Sequence, residues 1–559
     1  IFGLGINGNG ANVRLATGNG NVTVGNVFVA AVGGGNGGNV EIVAGDRADS
    51  PTVGNIITGR IQAWAANGRG GNVTLATTNG NITPTNSILA YSDNGNAGNV
   101  TLTTTKGNII MPQNSDIQTR ACLDNVAGCS GNGGNITVST GNGNISLDRV
   151  FSYAEGNAGN VSLLAPQGKT ASKLVLAHSY AAGKGGDISV VAGAPGVEGS
   201  LTLFSLSRRG QGGAINIDAI GDVPFTVLNS TGFTGSGAID IKSGGKVSPN
   251  NQTGNGIITS DTFGPGRGGD ITITAKTVQL GTGAQATASA HDRGDAGNVR
   301  VRASESVQIS GILPLTIDPT GLYGTPSGFA GIPPGTYIGG YIPSGNLGAI
   351  TTPEQRLFPS GIFSQSTVGA TGAAGTIQVD TPNLTIANQA AIATTTFGSG
   401  GGGAIALNTN RLVVDNGSIL SGVAPGASGS SGGISVQTQT LDITNQGLIQ
   451  SQTLGGGKAG AIQVNASTAV TLTGANSGIR SGSGNAQNQG AGIGSGANIQ
   501  VTAPTVRLAN GAQLSAETHT TAPGGSISVT ANQFDAASGG QVRTTTFNAG
   551  QAGNINFAI

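Results

Sequence analysis

The segment Gly133-Gly134-Asn135-Ile136-Thr137-Val138 recurs with small changes along the whole chain. Gly70-Gly71-Asn72-Val73-Thr74-Leu75 and Gly185-Gly186-Asp187-Ile188-Ser189-Val190 are near copies. The residue before the first apolar position of each copy marks the repeat, and most markers are 27 to 29 residues apart. The markers stand at positions 12, 39, 72, 99, 135, 160, 187, 214, 238, 270 and 298, and again at 376, 404, 433, 461, 498, 526 and 554. A fixed period of this length is typical of a solenoid or another repeat fold.

Short runs of alternating apolar and polar residues fill each repeat, as in Ile377-Gln378-Val379, Leu384-Thr385-Ile386 and Ile392-Ala393-Thr394. Such alternation predicts strands that bury one face. Asn416-Gly417 and Asn510-Gly511 separate the second and third runs of their repeats and favour the positive φ of a tight corner. Three short strands in each repeat of about 28 residues predict an all-β fold, a right-handed parallel β-helix of roughly 18 coils.

Composition excludes several classes of protein. The 559 residues include 101 glycines, only 9% are charged, and the 25 basic and 25 acidic residues balance. Regularly spaced Val, Ile and Leu indicate an ordered repeat rather than a disordered glycine-rich chain. No basic patch is present, so no nucleic-acid partner is expected. No apolar run reaches the roughly 18 residues that a membrane-spanning helix needs.

The repeat lapses between 303 and 375, where proline and tyrosine are concentrated. Strand interiors exclude proline, so this stretch is predicted to leave the ladder as a protruding loop or small subdomain. It separates a first part of the β-helix at 1–302 from a second part at 376–559. Residues 358–364 are expected to re-enter the ladder as a third strand. Loops on rigid scaffolds often carry recognition, although the stretch could equally pack along the side of the helix.

Cys122 and Cys129 are the two cysteines, seven residues apart in one of the longer repeats. This spacing predicts a small loop-closing disulfide, which fits an oxidising compartment. Two free thiols are the alternative. No metal site is predicted here, because no other Cys or His lies nearby to complete the four ligands that zinc usually takes.

Asparagine recurs at one corner of successive coils in the first half of the chain. Asn72, Asn99, Asn135 and Asn160 are predicted to stack as a side-chain amide ladder. The same residues fit the Asn-X-Ser/Thr acceptor pattern for glycosylation, but the repeat explains them better.

Neither catalysis nor a cofactor is predicted. The match of residues 3–8 to a dinucleotide fingerprint lacks the strand–helix unit that the motif requires. Paired carboxylates of a polysaccharide hydrolase or lyase have two nearest candidates, His291-Asp292-Arg293 with Asp295 and Asp46-Arg47-Ala48-Asp49. Both lie in predicted loops between coils and are typical of solvated turns. His178, His291 and His519 belong to different coils, where each is expected on the surface and no shared metal site is expected.

Nearly the whole chain resembles the large exoproteins of the filamentous-haemagglutinin type, especially the long cyanobacterial ones. The resemblance is carried by the Ala/Gly-Gly-Asn-Ile/Val-X-Val/Leu units, by residues 358–363 leading into 374–379, and by the Thr-Thr-Thr-Phe corners at 394–397 and 544–547. It implies two-partner secretion through an outer-membrane partner transporter, and a role as a surface adhesin or fibre.

The expected function is therefore that of a non-catalytic extracellular protein, a β-helical rod in cell-surface filaments or adhesive fibres. Low charge favours self-association of such rods, end to end or laterally, and surface glycans are candidate partners. Since the chain begins and ends within repeats, we expect either a segment of a longer protein or ends that meet neighbouring copies. The alternative function is a carbohydrate-binding or polysaccharide-cleaving β-helix.

Overall fold

The computed structural model describes residues 1–45, 53–122, 129–194, 196–250, 256–317, 354–487 and 493–559, with backbone alone at 314–317 and 354–357. The described residues form β-strands and no helix. They belong to two compact units, Ile1–Asn250 and Asn251–Ile559. Within each unit, parallel strands about 28 residues apart stack as a β-solenoid, which confirms the predicted parallel β-helix. The units together contain about 17 turns, because the 18 markers bound 17 steps.

The strands of the first unit, β1 to β23 in chain order, are Phe2–Gly5, Val13–Thr17, Val22–Val24, Val27–Ala31, Val40–Ala44, Ile56–Thr58, Ile61–Ala65, Val73–Thr77, Ile82–Pro84, Ile88–Ser92, Val100–Thr104, Ile109–Ile110, Asp116–Ala121, Ile136–Thr140, Ile145–Ala154, Val161–Ala165, Thr170–Ser179, Ile188–Ala192, Leu201–Ser207, Ile215–Ala219, Val223–Asn229, Ile239–Ser243 and Lys246–Pro249. Those of the second unit, β24 to β45, are Ile257–Thr259, Ile271–Gly281, Gln285–Thr287, Val299–Ser310, Ile312–Ile317, Glu354–Pro359, Gly361–Ser366, Ile377–Ala387, Ala391–Thr396, Ile405–Asp415, Ser418–Val423, Ile434–Thr444, Leu448–Thr453, Ile462–Thr473, Gly478–Ser483, Ile499–Thr502, Thr505–Ala509, Gln513–Thr518, Ile527–Thr530, Gln533–Ala536, Gln541–Thr546 and Ile555–Ala558.

The core is a set of apolar columns inside the coils. In β11 the side chains of Val100 and Leu102 are fully buried, while the residues between them face outward. Val100 stands in register with Val73 of the coil before and Ile136 of the coil after. Because each inward residue meets its counterpart in the next coil, burial of apolar area stabilises the coils in proportion to their number.

The glycines of the recurring motif are required by the close approach of successive coils. A Cβ on Gly134 would collide with the backbone carbonyl of Gly98, one coil earlier. Side chains are therefore excluded from this corner, whereas the following asparagine faces outward. The corner between second and third strands uses positive φ, as predicted, at Asn416 (49°) and Asn510 (54°).

The coils differ from the expected three separate short strands. The coil of β2, β3 and β4 has three, but β15 joins the second and third strands into one, Ile145–Ala154. In the second unit the first and second strands are joined, as in β31, Ile377–Ala387. At these positions the chain bends without a glycine corner, so hydrogen bonding continues through the bend.

The ladder of the second unit is continuous across the insertion. Val299 of β27 pairs with Ile377 of β31, and Gly361 of β30 pairs with Gln285 and Ala391 as a third strand. The departing and returning arms, β28 and β29, form a separate antiparallel pair. Residues 303–310 and 361–366 thus lie in the ladder. Most of the predicted insertion, 318–353, lies outside the described residues, as does the choice between a protruding loop and a packed one.

Candidate binding groove

The four asparagines of the predicted ladder occupy one corner of consecutive coils in the first unit. The backbone N–H of Asn99 donates to Oδ1 of Asn72 at 2.9 Å. Asn135 donates to Asn99, and Asn160 to Asn135, at the same distance. These bonds run from a backbone N–H to the side-chain oxygen of the preceding coil. Each one satisfies a corner N–H and contributes about 0.5–1.5 kcal/mol.

The chemical requirement of this corner is an oxygen acceptor on Cγ rather than asparagine itself. Asp187 follows Asn160 in the column, and its own Oδ1 accepts from the N–H of Ala214 at 2.8 Å. A second column of the same kind explains the Gly-Asn-Ile segments that begin the second strands. Its members are Asn21, Asn55, Asn81, Asn108 and Asn144.

Cys122 and Cys129 form a disulfide in the structure, with Cα atoms 6.0 Å apart. Cys122 is buried directly after β13 and has a φ of 68°. The residues between the two cysteines, 123–128, lie outside the described part of the chain.

The prediction of surface positions is wrong for His178 and His291, whose side chains are 2% and 5% exposed. Each imidazole is covered by an aromatic ring, with centroids 4.3 Å apart for His178 and Tyr180 and for His291 and Phe263. Burial, together with the charge of Arg208, lowers the pKa of His178 to about 3. His178 is therefore neutral in the folded protein at physiological pH.

The acidic candidates are engaged in packing where the structure describes them. His291 Nε2 lies 3.3 Å from Oδ2 of the fully buried Asp261, whose Oδ1 accepts from the N–H of Ser289 at 2.8 Å. Asp295 Oδ1 accepts from the N–H of Ala373 at 2.8 Å, which is a coil-to-coil bond of the asparagine type. The other candidate, Asp46-Arg47-Ala48-Asp49, lies outside the described residues.

A groove of about 560 Å³ follows four consecutive coils of the second unit, at the bend between their first and second strands. Its floor includes Thr409 and Thr438, whose hydroxyls are hydrogen-bonded at 3.0 Å. Outward side chains flank the floor on both sides. One wall carries Asp380, Asn408 and Gln437, which stand in register on adjacent strands, and the other carries Pro382, Asn410 and Gln439.

Asp380 is held in its charged form at one end of this wall. Asn408 Nδ2 donates to Oδ1 at 2.7 Å, and Gln378 Nε2 lies 3.0 Å from Oδ2. Arg300 and Arg302 approach Oδ2 at 3.5 and 3.7 Å. Burial acts to raise the pKa of Asp380, but the two amides and Arg300 outweigh it, so the pKa lies below its usual value. The carboxylate therefore has no proton to donate at neutral pH.

Three amides of the groove are unengaged. The side chains of Asn410, Gln437 and Gln439 are exposed and form no hydrogen bond with another described residue. Each amide offers two donors and one acceptor oxygen. The groove thus presents free hydrogen-bonding groups on two neighbouring coils, and it is the strongest candidate site in the described chain.

Sequence reasoning missed both this groove and an aromatic column in the first unit. Trp64 and Tyr91 are neighbours on the outward face of the third strands, followed in register by Arg120, Tyr153 and His178. The Trp64 and Tyr91 rings are 6.3 Å apart, which adds about 0.5–1.5 kcal/mol beyond burial. Their spacing of 27 residues, one repeat, was the available signal.

Comparison of the chain with protein-family models, with curated proteins and with solved structures gave no match. Among the described residues, no helix is long and apolar enough to span a membrane. The described side chains also contain no cluster of three or more His, Cys, Asp or Glu that could hold a metal ion.

Proposed function

We propose that the protein is a non-catalytic structural and adhesive protein of the cell surface, in which the β-solenoid is a rigid scaffold for surface contacts. The observation that carries the proposal is the chemistry of the groove. Of its lining residues only Asp380 is ionisable, and it is already ion-paired. Free amides suit binding, whereas glycoside hydrolysis needs two carboxyl groups, one of them protonated.

The scaffold role is supported by the way the coils are held together. Corner N–H groups bond to side chains of the preceding coil, and apolar columns fill the interior, so the fold requires no ligand. With only 9% charged residues and no net charge, copies of the chain repel one another weakly. These properties favour self-association into filaments, either end to end or laterally.

An extracellular location and export through an outer-membrane partner transporter are proposed from the resemblance to filamentous-haemagglutinin-type exoproteins. The disulfide between Cys122 and Cys129 supports an oxidising compartment.

Adhesion is tested with beads that carry the full chain, applied to the cells and extracellular matrix of its source. We expect the coated beads to attach in larger numbers than beads coated with an unrelated protein of similar size. Equal attachment of the two kinds of bead would refute the adhesive role.

The second candidate function is cleavage of a polysaccharide, favoured by a groove that extends over four coils. It is tested by incubating the protein with acidic and neutral polysaccharides. Release of reducing or unsaturated sugar ends would replace the structural and adhesive proposal with an enzymatic one.

A further inference from the structure

The free amides of the groove repeat with the spacing of the coils. Gln437 follows Asn408 in register on the next strand, and Gln439 and Asn410 flank the same floor. Neighbouring strands lie about 4.8 Å apart, so hydrogen-bonding groups recur along the groove at about that interval. An extended, β-linked sugar chain advances by a comparable distance per ring. Successive rings would therefore meet equivalent amides on successive coils.

The charge of the groove favours a neutral ligand. Its one carboxylate, Asp380, is compensated by Arg300 and Arg302, and the unengaged groups of Asn410 and the two glutamines are uncharged. The ring of Pro382, half-buried beside the floor, adds an apolar surface against which the C–H face of a sugar can pack.

The backbone of the groove disfavours a peptide ligand. An extended peptide gains affinity mainly by adding a strand to a free sheet edge. Here β31 is already paired with β27 and β33, and β33 with β31 and β35. Recognition must therefore use the side chains, which offer hydrogen bonds suited to hydroxyl groups.

We propose that this groove binds one strand of a neutral, hydroxyl-rich polysaccharide, aligned with the direction in which the coils stack. The inference rests on the adhesive part of the proposed function, for which it names the ligand class and the site.

The test is affinity electrophoresis of the full chain in native gels that contain a soluble neutral β-glucan, a galactomannan or the acidic polymer alginate. A variant with Asn410→Ala, Gln437→Ala and Gln439→Ala removes the free amides. Its matched control carries Gln463→Ala, Gln500→Ala and Gln533→Ala, three exposed amides outside the groove. Circular dichroism and thermal unfolding of both variants establish that the fold is retained.

We expect a neutral polysaccharide to retard the wild-type chain, the groove variant to bind at least tenfold more weakly, and the control variant to stay within twofold of wild type. Short oligosaccharides of the same polymer should compete. Retardation by alginate alone, no retardation, or equal loss in both variants would overturn the inference. If beads adhere while no polysaccharide retards the chain, only this inference is overturned; if the beads do not adhere, the adhesive function itself is overturned.

Discussion

Asn135 connects two neighbours in its column, since its N–H donates to Asn99 and its Oδ1 accepts from the N–H of Asn160. Replacing it by alanine leaves the N–H of Asn160 without this acceptor. We expect the Asn135→Ala variant to lose about 0.5–1.5 kcal/mol of stability and the amide of Asn160 to exchange hydrogen faster. Native-state hydrogen exchange measures both effects.

Two controls separate this bond from a general effect of substitution. Asn135→Asp retains an oxygen acceptor, as Asp187 does in the same column, and should lose less stability. Asn142→Ala changes an exposed asparagine of the same coil and should leave the exchange of the Asn160 amide unchanged. Equal exchange in Asn135→Ala and wild type would contradict a stabilising role for the column.

His178 makes stability depend on pH, because burial lowers its pKa to about 3 in the folded state. Below the ordinary pKa of about 6.5, the unfolded chain binds a proton at this position that the folded chain does not bind. Stability is therefore fully present above pH 6.5 and falls by up to about 1.4 kcal/mol per pH unit as the pH drops toward 3.

A His178→Leu variant should lose this part of the pH dependence, because leucine is accommodated at the next position of the column, Leu206. Chemical unfolding of both proteins between pH 7 and 4 gives the comparison. Parallel stability curves for the variant and the wild type would show that His178 does not contribute.

At the scale of the strands, the sequence predicts what the core determines. The apolar residues of β31 and β33 alternate visibly, and a conserved distance between repeats requires stacking in register. The fusion of first and second strands could not be predicted, because Thr381-Pro382 contains no signal that distinguishes a bend from a break.

The groove was equally hidden in the sequence, for a physical reason. Asp380, Asn408 and Gln437 lie 28 and 29 residues apart as three different residue types, so no repeated letter reveals them. Their proximity depends on register and on outward direction at a bend. The asparagine columns were predictable in position but not in bonding, because the donor is a backbone group.

The disulfide belongs to this scale too, because it closes a short loop after β13. Replacement of both Cys122 and Cys129 by serine should lower stability by roughly 2–3 kcal/mol, the entropy of a loop of this length. Thermal unfolding of the wild type with and without reductant, beside the double variant, measures the effect. A reductant that lowers the melting temperature of the double variant as much as that of the wild type would contradict this assignment.

At the scale of the whole molecule, fold and function rest on different foundations. The β-solenoid follows from a period that runs through both units, and it requires neither metal nor ligand to account for its stability. Function depends on outward residues, which the core leaves free to vary. The adhesive proposal therefore depends on the groove and on where the protein is found.

The central claim, a structural and adhesive protein of the cell surface, is tested most directly by immunogold electron microscopy of the source cells with antibodies against this chain. We predict gold label on filaments or matrix outside the outer membrane, and loss of that label when the gene is deleted. Label confined to the cytoplasm would contradict the account.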